Sequence, residues 1–406
     1  MTAIPHLDRG HVTPPSAGSD AATETPARPV RICFPFSGDS VGGSHVSVLG
    51  LIRHLDPECY QAVIVPEVAG GRIAQVFANL HQMADPVARP RSFVPGEAFG
   101  ASKFIGTLSG IWPRVRFLRC QHFDIVHIND GRTSANWAVA ARLAGARLVW
   151  HHRGDPGALG LRLAAPLLAD RVLTVSSFSL PPRGIWSAAD KAEVVHSPFD
   201  TEVTVDRAAA RGALVRELGV PPETIILGYF GSFVPRKRPL LFVDAVTLLR
   251  TMTDVPVIGL MFGEARVSTM DQALHRRIHL SGAADHVQVM GYRTPGSFWI
   301  GACDQLVVPA IGEPFGRTLV EAMLVGTPIV AARSGGNIEA LRGDIGILVA
   351  PDDADALAAG CLQLIRDPGL ARTIAKHASE DARHRFSEAH HRDQVVAVYD
   401  RLVGGA

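Results

Sequence analysis

The chain of 406 residues lacks net charge, long apolar runs and paired cysteines, and each absence removes a class of function. Forty Lys and Arg stand against 39 Asp and Glu, a formal charge of +1, so no strong field points to nucleic acid as a partner. The five cysteines, Cys33, Cys59, Cys120, Cys303 and Cys361, are odd in number, widely scattered and form no C-x-x-C pair. That pattern argues against a disulfide framework and against a zinc site, and a reducing cytoplasm is the expected compartment. No stretch reaches the roughly 18 consecutive apolar residues of a bilayer span. The opening MTAIPHLDRGHVTPPSAGSDAATETPARP lacks the charged start and apolar core of a secretory leader. Its Pro, Ser, Thr and Ala content, without periodicity, predicts a disordered tail over residues 1–28.

What is present is a large apolar share, 47% of residues, enough to fill more than one core at this length. Short apolar runs alternate with helical patterns throughout, which predicts parallel sheets with helices on both faces. One set of strands is expected at 30–36, 62–66, 124–128, 147–151 and 171–175. A second is expected at 225–230, 255–262, 286–289, 304–308, 328–332 and 346–349. Two doubly wound α/β domains follow, over residues 29–205 and 206–385, joined through a polar, helix-prone connection near 200–222. Residues 386–406 form a final helix, with Val395, Val396, Val398, Tyr399 and Leu402 at helical spacing. Ligands of such sheets bind beyond the carboxyl ends of the strands, so two facing domains imply a cleft between them.

The most informative stretch runs from Asp304 to Glu339. It sets Glu313 in a turn and Glu321 on the following helix, eight residues on. The turn Pro314-Phe315-Gly316 frees backbone N–H groups at a helix start, a place that favours phosphate. Two carboxylates at this spacing are by themselves weak evidence, because exposed turns and helices carry solvated acids. The whole string, with Gly326-Thr327-Pro328, the buried run to Ala332, Gly335-Gly336 and Glu339, is far more specific. It resembles the acid-x7-acid motif of the retaining sugar-nucleotide glycosyltransferases of family 4, which have the GT-B fold, and the resemblance covers nearly all of the chain after residue 30. By that resemblance Glu313 binds hydroxyls of the donor sugar, the backbone of Phe315, Gly316 and Arg317 binds sugar and phosphate, and Glu321 takes the ribose hydroxyls. The final helix is expected to cross back onto the first domain.

Further residues follow from the same resemblance. The loop 37–43, ending in Gly42 and Gly43, is not a G-x-G-x-x-G fingerprint, but it looks like the glycine loop with which the family approaches the donor diphosphate or the acceptor; a purely structural turn is the alternative. In Gly231-Ser232-Phe233-Val234-Pro235-Arg236-Lys237-Arg238, Lys237 matches the family's diphosphate-binding lysine, while Ser232 stands where the family has arginine. Arg236, Arg238 or another cation then replaces that clamp, or donor binding is weaker. His152, in Trp150-His151-His152-Arg153, is expected in a loop just past a strand, close to the donor sugar; His151 is expected to stay in the strand. Asn129 or Asp130 faces the acceptor or caps a helix. The loop at Gly291 and Tyr292 is expected to line the nucleobase pocket. Residues 98–123 mix Lys103, Arg114, Arg116 and Arg119 with apolar residues and no acid. They are a candidate for peripheral membrane contact at the inner face, or a packed helix with a cationic outer face interrupted at Pro113.

The resemblance implies a metal-independent hexosyl-type transferase with no bound cofactor. Its donor would be a UDP-, GDP- or ADP-sugar, and its acceptor a hydroxyl of a glycan, a lipid-linked molecule or a small molecule, in polysaccharide or glycoconjugate synthesis. Catalysis would rest on Glu313, His152 and Lys237, with leaving-group charge carried by Lys237, the helix start at Gly316 and the Gly42-Gly43 loop. Two other readings stand beside it: a hydrolysing nucleotide-sugar epimerase, and a non-catalytic nucleotide-sugar binding or scaffold protein, the latter motivated by Ser232.

Overall fold

The computed structural model describes residues 28–87 and 108–404; the expected tail before residue 28 and the first part of the 98–123 stretch lie outside them. The first sheet holds six parallel strands, β1 (Val30–Phe36), β2 (Tyr60–Pro66), β3 (Ile125–Ile128), β4 (Arg147–His152), β5 (Arg171–Thr174) and β6 (Ala192–Val194), in the order β2-β1-β3-β4-β5-β6. The second holds β7 (Ile225–Phe230), β8 (Val257–Phe262), β9 (Val287–Gly291), β10 (Gln305–Val308), β11 (Ile329–Ala332) and β12 (Ile347–Val349), in the order β12-β11-β10-β7-β8-β9. Parallel strands covered on both faces read as continuous apolar runs, which is why most of them were legible.

The departures from expectation have local causes. Strand β6 is an edge strand, Ala-Glu-Val with every residue half-buried, and carries no apolar run to betray it. Strand β4 reaches His152, which pairs with Thr174, so this histidine ends the strand instead of lying in the loop. Arg28, the last residue assigned to the tail, donates two hydrogen bonds to the Asp124 carboxylate at 2.9 and 2.7 Å. Helix Ile111–Cys120 tolerates Pro113 because it falls in the first turn, where the backbone N–H has no intrahelical partner to lose. Nor is that helix cationic only on its outside. Arg114 is buried, lies 5.0 Å over the Trp137 ring and pairs with the equally buried Asp85 at 2.9 Å.

Two crossings join the domains side by side. Phe199 donates its N–H to Phe386 O at 2.8 Å, and both aromatics sit in one core with Phe315. Helix Arg207–Leu218, in the expected connection, buries Ala210 and Leu214 against Ile226, Ile258 and Leu260 of the second sheet. Helix Glu388–Val403 returns to the first sheet, where Val395, Val398, Tyr399 and Leu402 pack with Ile32, Phe34 and Val149. Val396 of the expected stripe is only partly buried. Each fully buried large apolar side chain stabilises by about 1.5–3 kcal/mol, so these four hold the helix on the first domain firmly.

Candidate active site

The strand ends of the two sheets face one another across a cavity of about 670 Å³. From the first domain it is lined by Gly43, Ser44, Asn129, Asp130, His152 and Arg153, and from the second by Arg236, Arg266, Glu313, Phe315 and Arg317. Strand β10 leads into the loop that carries Glu313, and helix Arg317–Val325 leaves it, with Gly316 as a cap that offers no side chain. No hydrogen bond occupies the N–H groups of Gly316, Arg317 or Thr318 among the described residues. A helix start with free donors, aimed at a cavity, favours an anion.

The Glu313 loop is held against its neighbour by a glycine pair. Gly336 donates its N–H to Glu313 O at 2.7 Å, and Gly335 has a φ of +56°, where a Cβ would lie 2.6 Å from that same oxygen. The Glu313 carboxylate, mostly shielded from solvent, is gripped by Arg236 Nη1 at 2.5 Å and Lys237 Nζ at 3.7 Å. Gly231, at a φ of +137°, makes room for the lysine, since a Cβ there would come within 2.9 Å of Nζ. Of the three successive cations, Arg236 therefore lines the interdomain cavity, and Lys237 lines a small neighbouring pocket with Glu313, Gly316 and Thr318. Arg238 turns away to Asp352, with Nε 2.5 Å from Oδ1. Ser232 adds no cation, and only its carbonyl is engaged, accepting from the Tyr229 hydroxyl at 3.4 Å.

Glu321 is one turn along the same helix and does not line the large cavity. It lines a second one of about 310 Å³ with Gly296, Ser297, Phe199 and Asp200. Burial raises its carboxyl above the ordinary value, opposed by Arg317 and Lys237. Between the two acids runs the side chain of Arg317, which lines both cavities. Its guanidinium lies 4.2 Å over the Phe199 ring, Nη1 reaches Ser47 Oγ at 3.4 Å, and a Cβ on Gly43 would meet its Cδ at 2.8 Å. The seam between the two acids is thus filled by an arginine that bridges the domains.

Gly43 opens helix Gly43–Arg53 at the cavity wall, while Gly42, its cap, does not line the cavity and donates its N–H to His45 Nδ1 at 3.0 Å. His152 also lines the cavity; its Nε2 bonds Asp155 O at 2.9 Å, and burial lowers its pKa. Asp130 caps helix Gly131–Ala144 through Thr133 N at 2.8 Å while still lining the cavity. Gly291 and Tyr292 line neither cavity, and Tyr292 is exposed. Glu339 serves the domain interface instead, accepting from Ser177 N at 2.6 Å and approaching His196 at 3.4 Å. An Asp-x-Asp triplet, Asp353-Ala354-Asp355, lies at the start of helix Ala354–Arg366 and lines neither cavity; there Asp353 accepts from Ala356 N at 2.8 Å.

Arg153, the last residue of the Trp150-His151-His152-Arg153 run, is a charge at the cleft wall. Its Nη1 donates to Ser197 Oγ at 3.1 Å, and its Nη2 to Asn129 Oδ1 and His151 Nδ1 at 3.3 Å each. It has no carboxylate partner among the described residues, and burial together with nearby Arg317 lowers its pKa. Because arginine only donates, His151 Nδ1 is an acceptor. His127 Nε2, 3.2 Å away, then donates to it, and the Tyr399 hydroxyl donates to His127 Nδ1 at 2.6 Å. A buried polar chain therefore runs from the returning C-terminal helix through two neutral histidines to a cleft arginine.

A family model described as glycosyl transferases group 1 matches residues 224–367. The chain is 31% identical over 412 residues to a D-inositol 3-phosphate glycosyltransferase of Mycobacterium marinum, covering 91% of this chain and 83% of the relative. A second, of Kribbella flavida, is 35% identical over 208 residues, 47% of each. In that alignment, and in the one to the Jonesia denitrificans protein, the chain spans about half the length of the curated relatives it matches. Among solved structures, Anabaena HepE in complex with UDP-glucose superposes with a TM-score of 0.75 at 22% identity, covering 91% of this chain and 99% of that one. Sucrose-phosphate synthase from Thermosynechococcus elongatus gives 0.69 at 18%, over 93% and 100%. These likenesses show the GT-B fold.

Proposed function

The chain belongs to the group 1 glycosyl transferases, and from that premise we propose that it moves a glycosyl group from a nucleotide-diphosphate sugar to an acceptor hydroxyl with retention at the anomeric carbon. The observation that carries this is Glu313, clasped by Arg236 and Lys237 beside an uncapped helix start that faces the Gly42-Gly43 loop. The bond from the anomeric carbon to the donor phosphate oxygen breaks, and the acceptor oxygen bonds to that carbon on the same face. The acceptor proton passes to the departing diphosphate. Arg236, Lys237 and the free N–H groups at Gly316 to Thr318 stabilise the leaving charge, which grows in the transition state and so favours rate over ground-state binding. Arg236 takes the place of the clamp missing at Ser232. His152 and Glu313 orient the sugar, and Glu321 the ribose. Closure about the paired crossings at Phe199 and Phe386 excludes water.

Solved neighbours are complexes with UDP and UDP-glucose, which makes a UDP-sugar the first donor to try, and the curated relatives' name makes a phosphorylated polyol the first soluble acceptor. The test is a thermal-shift screen with UDP-, GDP- and ADP-sugars, repeated in Glu321→Ala, with turnover followed on hits. A donor-selective rise lost in the variant, together with acceptor-dependent nucleotide release, supports the proposal. No shift with any donor refutes it. A shift without turnover on any acceptor moves the reading to a non-catalytic binding protein, which the lack of a cation at Ser232 would then explain. Nucleotide release with a changed sugar isomer and no acceptor would indicate the epimerase.

A further inference from the structure

The segment between β4 and β5 is built in reverse for a surface that meets water. The π-helical turn Gly160–Ala164 and helix Ala165–Leu168 turn their mostly small residues inward, with Leu161, Ala165 and Ala169 buried in the first-domain core. The large apolar residues point out. Leu159, Leu163 and Leu167, four residues apart and so on one face, are 72%, 60% and 60% exposed. The loop before β6 lies beside them, because Lys191 Nζ donates to Pro166 O and Ala169 O at 2.9 Å each and Ala188 packs into the same core. That loop presents Ile185 and Trp186, both exposed. A soluble surface helix places polar residues here, and large apolar residues exposed together on one face mark an interaction site.

Charge identifies the partner. Residues 158–169 and 181–189 contain no Asp or Glu, while Arg162 and Arg183 are exposed and make no ion pair among the described residues. Of the flanking acids, Asp170 is already engaged by Arg142 and Arg147, and Asp155 bonds the backbone N–H of Gly157, which leaves Asp190 at the edge. We propose that this face seats on an anionic phospholipid bilayer. The leucines, Ile185 and Trp186 enter the boundary between headgroups and acyl chains, and the two arginines meet lipid phosphates. In the described part of the 98–123 stretch, Arg114 is spent on Asp85 and Val115 and Leu118 are buried, while Trp112, Arg116 and Arg119 are exposed.

The position bears on the acceptor. Ala158, Gly160 and Leu161, at the start of the segment, line the interdomain cavity, so a bilayer at this face lies beside its first-domain wall. The acceptor is then lipid-linked, its hydroxyl presented from the membrane. That last step rests on the transferase reading; the bilayer contact does not.

The test is flotation of the full chain with vesicles of phosphatidylcholine alone and of phosphatidylcholine mixed with phosphatidylglycerol, across a salt series. Binding is expected to the anionic vesicles only, weakening with salt. Arg162→Gln with Arg183→Gln should lower partitioning roughly thirtyfold, about fivefold per arginine. Leu163→Ser with Leu167→Ser should abolish it, and melting temperature and the donor-induced shift should stay unchanged in both. If the serine pair melts early, the arginine pair, which lies wholly on the surface, carries the test. Absence of flotation, or flotation indifferent to both variants, overturns the proposal, whatever the donor screen shows. A dimer in sedimentation equilibrium that the serine pair dissociates would assign the face to a second copy and overturn it too.

Discussion

Lowering the pH from 7 to 5 should loosen the returning C-terminal helix through His391. This imidazole is buried on that helix, its Nδ1 donates to His196 O at 2.7 Å, and its Nε2 has no partner. Burial first, and then the Arg153 charge with His390 and His196, push its pKa from 6.5 to about 3. A histidine held neutral in the fold contributes its full stability above its unfolded pKa. That contribution is lost as pH falls from 6.5 towards the folded value, because the unfolded state binds the proton more readily. Between pH 7 and 5 the loss is about 2 kcal/mol for this one group. His127 and His151, lowered for the same reason, add losses of the same sign. The assay is urea unfolding at the two pH values for the wild type and for His391→Asn, whose amide keeps a donor for His196 O but does not titrate. The difference between the two proteins cancels every other titration. The wild type should lose about 2 kcal/mol more than the variant, and equal losses would refute the account of His391.

Other outcomes follow from single contacts. Arg114→Met leaves the buried Asp85 carboxylate without its counterion and should cost about 3–5 kcal/mol in urea unfolding. Gly335→Ala forces a side chain into a φ of +56° and against Glu313 O; it should cost about 1–3 kcal/mol and abolish the donor-induced thermal shift by displacing the Glu313 loop. Arg236→Met should weaken donor affinity in titration calorimetry by about 1.5–3 kcal/mol, while Arg238→Met, whose partner is Asp352, should leave it unchanged. Excess EDTA should leave donor binding unchanged, because Arg236 and Lys237 already supply positive charge beside Glu313, where we propose that the diphosphate binds.

Buried parallel strands announced themselves by their apolar runs, so eleven of the twelve were read within a few residues of their observed bounds. The exception, Ala192–Val194, has one apolar face at the sheet edge and nothing periodic. The Glu313 turn was legible because glycines, proline and acid fall where a strand–turn–helix junction needs them. Arg153 was not, because its importance is the lack of a neutralising partner, and a lack of partners cannot be seen along a chain. The outward leucines at 159, 163 and 167 were also hidden, since their spacing equals that of a buried stripe.

The positions of most strands along the chain, their parallel α/β plan and the acid pair were determined by the sequence, because periodicity and turn chemistry are local properties; the order of strands within each sheet was not. Tertiary structure alone decided which of three adjacent cations enters the site, since Arg238 finds Asp352 and Arg236 finds Glu313, partners 114 and 77 residues away. It alone decided that Arg317 fills the seam between the acids, and that a tyrosine near the C-terminus is wired through His127 and His151 to a cleft arginine. Those facts depend on which surfaces meet when two sheets close on each other, and no window of sequence contains both surfaces.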